Sequence, residues 1–508
     1  MKLSAVLALL VALSTTALAG PTETALSRIN RGEYTEAIAD LEALRAKNEP
    51  GAQLGLARAY LEGGRLDEAA AAANAVLAEG KKSDAAQDAE VVLALVEGTR
   101  GQYKSAIARL KAVVKARPKH FEARVRLAEL RLLTGAKASD LHEADRIPDY
   151  YEEGDVKTAR DLAWLGRALT LTGFYKDANG IFEEAVELNK GELLAQYFWA
   201  DLFLRAGQNE KDADVSVKEI LKRNRKHTGA LVLTAMMDLS SDNDAAAATK
   251  HADQALAINP ALVEAHHVRA LALLGTEQYD AAIAALDAAL KINAVHPMTL
   301  TLIAAARLLK EDDAGFAQGM KAVAAVNPRY AEGWHTVAEL VNRRHEEKIA
   351  FEKKAIALDD EYWPAWVGLG VGYSRVGDDD KAATVLEKAF EGDGFNVRAY
   401  NMLEFFYDGA AKRMTWSQAG RFRVRLDNDE QEVLEPLVGP WLQTLWKRYA
   451  ARYSFEPKAP LNVEYFPDRN VFAVRTVGTP GLAAHGVCFG HVVTLVSPSL
   501  ADHNWRMV

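Results

Sequence analysis

The chain has 508 residues, with 61 Lys and Arg against 70 Asp and Glu, a formal charge of −9, and 49% apolar and 26% charged residues. That apolar share excludes a disordered chain, which cannot bury enough surface to offset the entropy of ordering. The acidic balance is the wrong sign for a nucleic-acid partner. A single cysteine, Cys488, excludes an internal disulfide and any multi-cysteine zinc or iron–sulfur centre.

At the N-terminus, Met1-Lys2 precedes a largely apolar run over residues 3–13, then Ala17-Leu18-Ala19 and Gly20. A basic start, a short apolar stretch and an A-x-A end predict a secretory signal peptide over residues 1–19. The run falls short of the roughly 20 residues a bilayer core requires. The mature chain is therefore expected in the periplasm or outside the cell, with no integral membrane segment.

Residues 20–394 repeat themselves. Gly32-Glu-Tyr34-x-x-Ala37, Gly64-Arg-Leu66-x-x-Ala69, Gly101-Gln-Tyr103-x-x-Ala106, Gly173-Phe-Tyr175-x-x-Ala178 and Glu277-Gln-Tyr279-x-x-Ala282 share one pattern. The small-residue column continues through Ala213, Ala248, Ala317, Ala350 and Ala382, in steps of 35, 35, 34, 35, 33 and 32 residues from Ala178. The 72-residue gap between Ala106 and Ala178 holds a degenerate unit. It is read as a helix over 121–134, a turn at Gly135 and an irregular insertion over 137–154. About eleven units result.

Each unit reads as two amphipathic helices. In residues 162–189, Leu165, Leu169, Ile181, Phe182 and Val186 recur at helical spacing, and Gly173 breaks the pattern between the halves. Gly166, Ala178 and Ala185 are small where neighbouring helices must approach. One such hairpin cannot hide its apolar stripe alone, so the array is stable only when stacked.

These residues resemble the tetratricopeptide repeat. The nearest copy is Trp366-x-x-Leu369-Gly370-x-x-Tyr373 with Gly377, Ala382, Leu386 and Ala389; a second is Leu165-Gly166 with Gly173, Tyr175, Ala178, Phe182 and Ala185. The resemblance covers roughly three quarters of the chain. It implies a mainly α solenoid whose concave face holds a protein or peptide ligand.

After residue 394 the pattern stops and a small α/β unit is expected. Residues 395–460 read as a helical connector with one strand, the alternating Arg421-Phe-Arg-Val-Arg-Leu426, and a helix over 429–453 interrupted between Pro436 and Pro440. Residues 461–508 read as a β-rich fragment with strands over 461–466, 471–477 and 487–496, then a loop over 499–508 in which Asp502 or Asn504 is placed to cap a helix near Trp505. The motifs Phe472-Ala-Val-Arg-Thr-Val-Gly478, Gly486-Val-Cys-Phe-Gly490, Val492-Val-Thr-Leu-Val-Ser-Pro498 and Asn504-Trp505 resemble the strand region of peptidase-MA-like gluzincins, zinc metallopeptidase domains often fused behind tetratricopeptide arrays in exported bacterial proteins. The resemblance implies a substrate-binding edge strand at Gly486, Val487, Cys488, Phe489 and Gly490, followed by a helix carrying H-E-x-x-H, whose two His bind zinc while the Glu activates water.

No H-E-x-x-H occurs in the chain, so the resemblance reads as a domain truncated before its catalytic helix. His142-Glu143 and His345-Glu346 lack the second His and read as solvated helix surface, and so does His266-His267, whose adjacent rings point to different sides. Among His485, Cys488, His491 and His503, strand alternation turns Cys488 away from the histidines, so a small buried thiol is expected rather than a metal site. The chain is therefore read as an exported scaffold with no catalytic, cofactor or metal residues of its own. The alternative is the front part of a zinc metallopeptidase, with zinc only if a downstream segment supplies the ligands.

Overall fold

The computed structural model describes residues 20–80, 83–240, 244–341 and 344–500. The predicted signal segment and the stretch from Asp502 to Trp505, with His503, lie outside the described residues. Eleven consecutive helix pairs run from Pro21–Asn30 with Tyr34–Ala46 to Trp363–Val376 with Asp379–Gly392. The degenerate fourth unit pairs Phe121–Leu133 with His142–Glu152, so most of the segment read as an irregular insertion is helical, with Pro148 inside it.

Small residues set how closely each pair packs. A Cβ on Gly166 would lie 2.5 Å from the Phe182 ring of its partner helix, and one on Gly370 would lie 2.6 Å from Leu386 Cγ. Ala178 and Ala382 are fully buried in the same seams, and Leu369 is buried beside them. The aromatics of the repeat pattern stand further out. Trp366 Nε1 donates to the Asp360 carbonyl at 3.0 Å, Tyr373 lies between Lys353 and Lys381, and the Tyr175 ring meets Phe395.

First helices of successive pairs touch one another, whereas second helices lack comparable mutual contact. In a curved stack the closer-packed row lies inside, so the first helices form the concave wall.

The curvature brings the array back onto itself after about 195 residues. Asn224 Nδ2 donates to the Ile29 carbonyl at 3.2 Å, and Asn327 Nδ2 donates to the carbonyls of Leu132 and Leu133 at 3.0 and 3.2 Å. Asn293 Nδ2 donates to the Tyr103 hydroxyl at 3.0 Å, and Asn396 Nδ2 to the Ala206 carbonyl at 3.2 Å. Each of Asn224, Asn293 and Asn327 ends a second helix, and its Oδ1 accepts from the amide two residues on, that of Lys226, Val295 or Arg329. The facing turns carry Gly32, Gly64, Gly101 and Gly135, all at positive φ. A Cβ on Gly32, Gly64 or Gly101 would overlap the Oδ1 of Asn224, Asn259 or Asn293. Glycine is needed there for its left-handed backbone and for the space it leaves.

Histidines cap several first helices. Ring Nδ1 atoms of His120, His227 and His296 accept from the amides of Ala123, Ala230 and Thr299. Burial pushes His227 down to about 4.

The C-terminal unit is a five-stranded sheet. Strands β1 (Met414–Ala419), β2 (Phe422–Asp427), β3 (Leu461–Phe466), β4 (Gly486–Phe489) and β5 (Val492–Val496) lie in the order β1-β2-β3-β5-β4. The central β2, β3 and β5 run parallel, and the two edges are antiparallel to their neighbours. Alternation gives two faces. Phe422, Val424, Val463 and Tyr465 pack under the helix Gln431–Tyr453, while Phe466 and Val496 join Phe406 and Phe472 toward the last helix pair.

The structure corrects five sequence readings here. Residues 395–460 carry two strands rather than one, because β1 pairs with β2 through the Gly420 turn. That sheet continues into residues 461–496, so no boundary separates the two stretches. The strand expected over 471–477 is the helix Arg469–Val477: Asp468 accepts from the amides of Asn470 and Val471, and Gly478 at positive φ ends it. Local capping outweighs the β-branched composition. The strand expected over 487–496 is a hairpin, turning at Gly490 with φ +61°. Pro436 and Pro440 sit on the exposed side of one continuous helix whose buried stripe is Leu434, Val438, Leu442 and Trp446.

Asn327→Ala removes two bonds between superhelical turns and should lower stability by about 1–3 kcal/mol in urea unfolding. Asn189→Ala, which loses only a local bond to the Gly191 amide, should cost less. A second measurement concerns acid. The unfolded chain protonates His227 near its ordinary 6.5 and the folded chain only near 4, so stability falls as pH drops through that window and levels off below it. His227→Asn keeps a capping acceptor without a titrating ring. It should lose roughly 1–3 kcal/mol less than the parent between pH 7 and pH 4.

Candidate functional site

The concave wall is built from charged side chains on successive first helices. Arg58 pairs with Glu122 at 3.2 Å, Arg126 with Glu129 at 2.9 Å, Arg167 with Glu129 at 2.9 Å and with Asp201 at 3.0 Å, and Arg205 with Asp201 at 2.5 Å. Burial works to raise Glu122, Glu129 and Asp201, but the flanking arginines prevail and hold all three below the ordinary carboxylate range. Asp201, with burial opposing it, drives Arg205 up. Glu62 is lifted above its usual range by burial, against the pull of Arg126 and Arg58. The ladder crosses hairpins two to six and offers both charge signs.

Further along the wall the polar groups turn aromatic and imidazole. His267, read as solvated surface, is buried: its ring lies 5.0 Å from that of His296, and its Nε2 contacts Thr299 Oγ1 at 2.7 Å. His335 Nδ1 meets Glu352 at 2.9 Å, while Lys348 Nζ donates to Glu339. His335, Glu339 and Glu352 are the one group of three potential ligands that converge among the described residues. The donor set fits a metal poorly: Lys348 already neutralises Glu339, and His335 already serves Glu352.

The edge strand read from sequence is an edge strand in the structure, with Gly490 in the following turn. Its neighbours do not assemble a metal site. His485, Cys488 and His491 are exposed and do not converge. Cys488, expected to be buried, is exposed because it stands on the outer edge of β4, where its Sγ reaches only the Gly490 carbonyl at 3.7 Å. His345 also departs from its reading as solvated surface: it packs half-buried against Phe489, ring to ring at 6.1 Å. His142 is exposed, as read, whereas Glu143 is held by Arg131.

Buried charge joins this unit to the eleventh pair. Arg475 contacts Glu464 at 2.6 Å, Asp379 at 3.4 Å and the Ser374 carbonyl at 3.2 Å, and Arg425 contacts Asp379 at 2.8 Å. On the opposite sheet face, helix Gln431–Tyr453 leaves an apolar cavity of about 510 Å³ lined by Trp441, Trp446, Tyr449 and Tyr465. Sequence reasoning missed the wall because its charges look like any solvated helix face. A signal existed, in the Arg and Glu that recur on first helices four residues apart, as in Arg58 and Glu62 or Asp201 and Arg205.

Comparison with known proteins fits this architecture. The tetratricopeptide repeat family model matches residues 22–85 and 91–161, and a second tetratricopeptide repeat model matches residues 263–296. No curated protein matches the chain. Similar solved structures include yeast Tom70, at 14% identity over 77% of this chain and 88% of that one with a TM-score of 0.34. A human IFIT1 dimer with m7Gppp-AAAA is similar at 15% identity, 72% and 88% coverage and a TM-score of 0.40. A tetratricopeptide repeat protein from Parabacteroides merdae is similar at 14% identity, 56% and 98% coverage and a TM-score of 0.34. On those matched segments the chain carries tetratricopeptide repeats, within its stack of helix pairs.

Proposed function

We propose that the protein is an exported interaction scaffold that holds an extended protein segment against its concave wall. The carrying observation is the row of ion pairs between Arg58 and Arg205 on the first helices. Arginines that pair with carboxylates in rows exchange readily for the carboxylates and amides of an extended chain, at little net electrostatic change. Contacts between superhelical turns brace the wall, which favours a preorganised site over one that folds on binding. The proposal of export rests on the sequence of residues 1–19.

A second reading assigns the C-terminal sheet to the front of a zinc metallopeptidase domain. It is supported by the mixed five-stranded sheet with the antiparallel edge strand β4. Zinc fits no grouping of the described residues, and no step is assigned to it. An in-frame H-E-x-x-H in the coding sequence after the codon for Val508 would support this reading, and unrelated sequence there would sink it.

For the scaffold reading, proteins retained by the full chain should be released by Arg167→Glu on the wall and kept by Lys218→Glu, whose side chain is exposed on a second helix. Retention should weaken by about tenfold with the wall variant. Equal retention by both variants would refute the assignment to the wall.

A further inference from the structure

We infer that Arg375, Arg398 and His345 form an oxyanion-binding site where the edge strand β4 meets the inner end of the array. Arg375, in the last turn of Trp363–Val376, lies over the Phe489 ring at 4.7 Å. Stacking fixes the guanidinium plane and leaves its N–H edge free to donate. His345 meets the edge of the same ring. Arg398 runs across Gly478, whose missing Cβ makes room for the arginine stem.

The two arginines have no bonded counter-charge among the described residues, Glu339 attracting Arg375 only through space. The Nε atoms of Arg375 and Arg398 and Nδ1 of His345 are buried with no hydrogen-bond partner, and neither arginine forms an ion pair among the described residues. Nearby Arg425 and Arg475 are neutralised by Asp379 and Glu464. The carboxylate that faces the cluster, Glu339, is bonded to Lys348. Burial, with repulsion from Arg398, pushes Arg375 down to about 10, and burial with Arg375 and Lys348 lowers His345. Fixed donors without acceptors, beside surplus positive charge, are complementary to a carboxylate or phosphate. The cluster does not depend on how the wall binds protein.

The test uses the full chain, titrated with inorganic phosphate and with a short peptide carrying either a free or an amidated C-terminus. Phosphate should raise the thermal midpoint and move the His345 ring resonances, identified by their loss in His345→Gln, with its titration shifted upward. Arg375→Met and Arg398→Met should each weaken this by about tenfold or more, while Arg423→Met on the exposed side of β2 leaves it unchanged. Because the two variants remove a repelling charge, they should be at least as stable as the parent without phosphate; a structural role would instead make them less stable. Displacement of phosphate by the free peptide but not its amide identifies a peptide carboxylate as the ligand, and no displacement by either identifies free phosphate. An His345 signal unmoved by both probes at roughly 10 mM, or variants that respond like the parent, would overturn the site.

Discussion

The contact between one superhelical turn and the next is the constraint on which the architecture depends. In most solenoids each repeat touches only its neighbours, and stability is close to a sum of nearest-neighbour terms. Here an asparagine closes its own turn with Oδ1 and uses Nδ2 to satisfy a carbonyl at the end of a helix some 195 residues earlier. Ile29 and Leu132 accept there from the turn amides of Gly32 and Gly135, and each carbonyl keeps a second lone pair for the asparagine. The bond therefore replaces water at a helix end rather than competing with the helix. It works only because the facing residue is glycine: at Gly32, Gly64 and Gly101 a side chain would occupy the asparagine's place. Curvature is thus set at the loops, and the helices follow.

The same device seats the C-terminal unit. Gly377, the turn glycine of the eleventh pair, faces the Asn462 amide on β3, much as Gly32 faces Asn224. The sheet takes the position that a further superhelical turn would occupy. Two arginines and two carboxylates then bury themselves across the seam, with Glu464 and Arg475 both near zero exposure. A buried pair of this kind contributes little net stability but strongly disfavours any other docking, since a shifted sheet would leave a desolvated charge alone. The edge strand β4 is held over the end of the concave wall for that reason.

The helix pairs were legible because their period rests on residues that steric contact demands, such as Gly166 against Phe182 and Gly370 against Leu386. Curvature was not, although its determinant recurs at the same period in Asn224, Asn259, Asn293 and Asn327. An asparagine at a helix end reads as a local turn, and its partner lies five to six hairpins away. In the C-terminal unit, alternation found β2 and β3 but mistook Arg469–Val477 for a strand. Asp468 and Gly478, which flank that segment, act as its cap and its stop. Site residues fared worst, because pairing decides their character. Arg167 and Arg375 look alike in sequence, yet one is braced by two carboxylates and the other by none.

That difference divides the molecule by what each part can gain from a ligand. Along the wall every arginine from Arg58 to Arg205 already has a carboxylate, so a bound chain exchanges one set of ion pairs for another and gains mainly in shape and selectivity. Because consecutive turns touch, such a chain must approach along the superhelical axis or part the asparagine contacts, each worth on the order of 1 kcal/mol. At the junction the Nε atoms of Arg375 and Arg398 are buried without a hydrogen-bond partner, a cost that a suitable anion would recover. An anion therefore has an electrostatic gain to make where the array ends and the sheet begins, which a ligand on the paired wall does not.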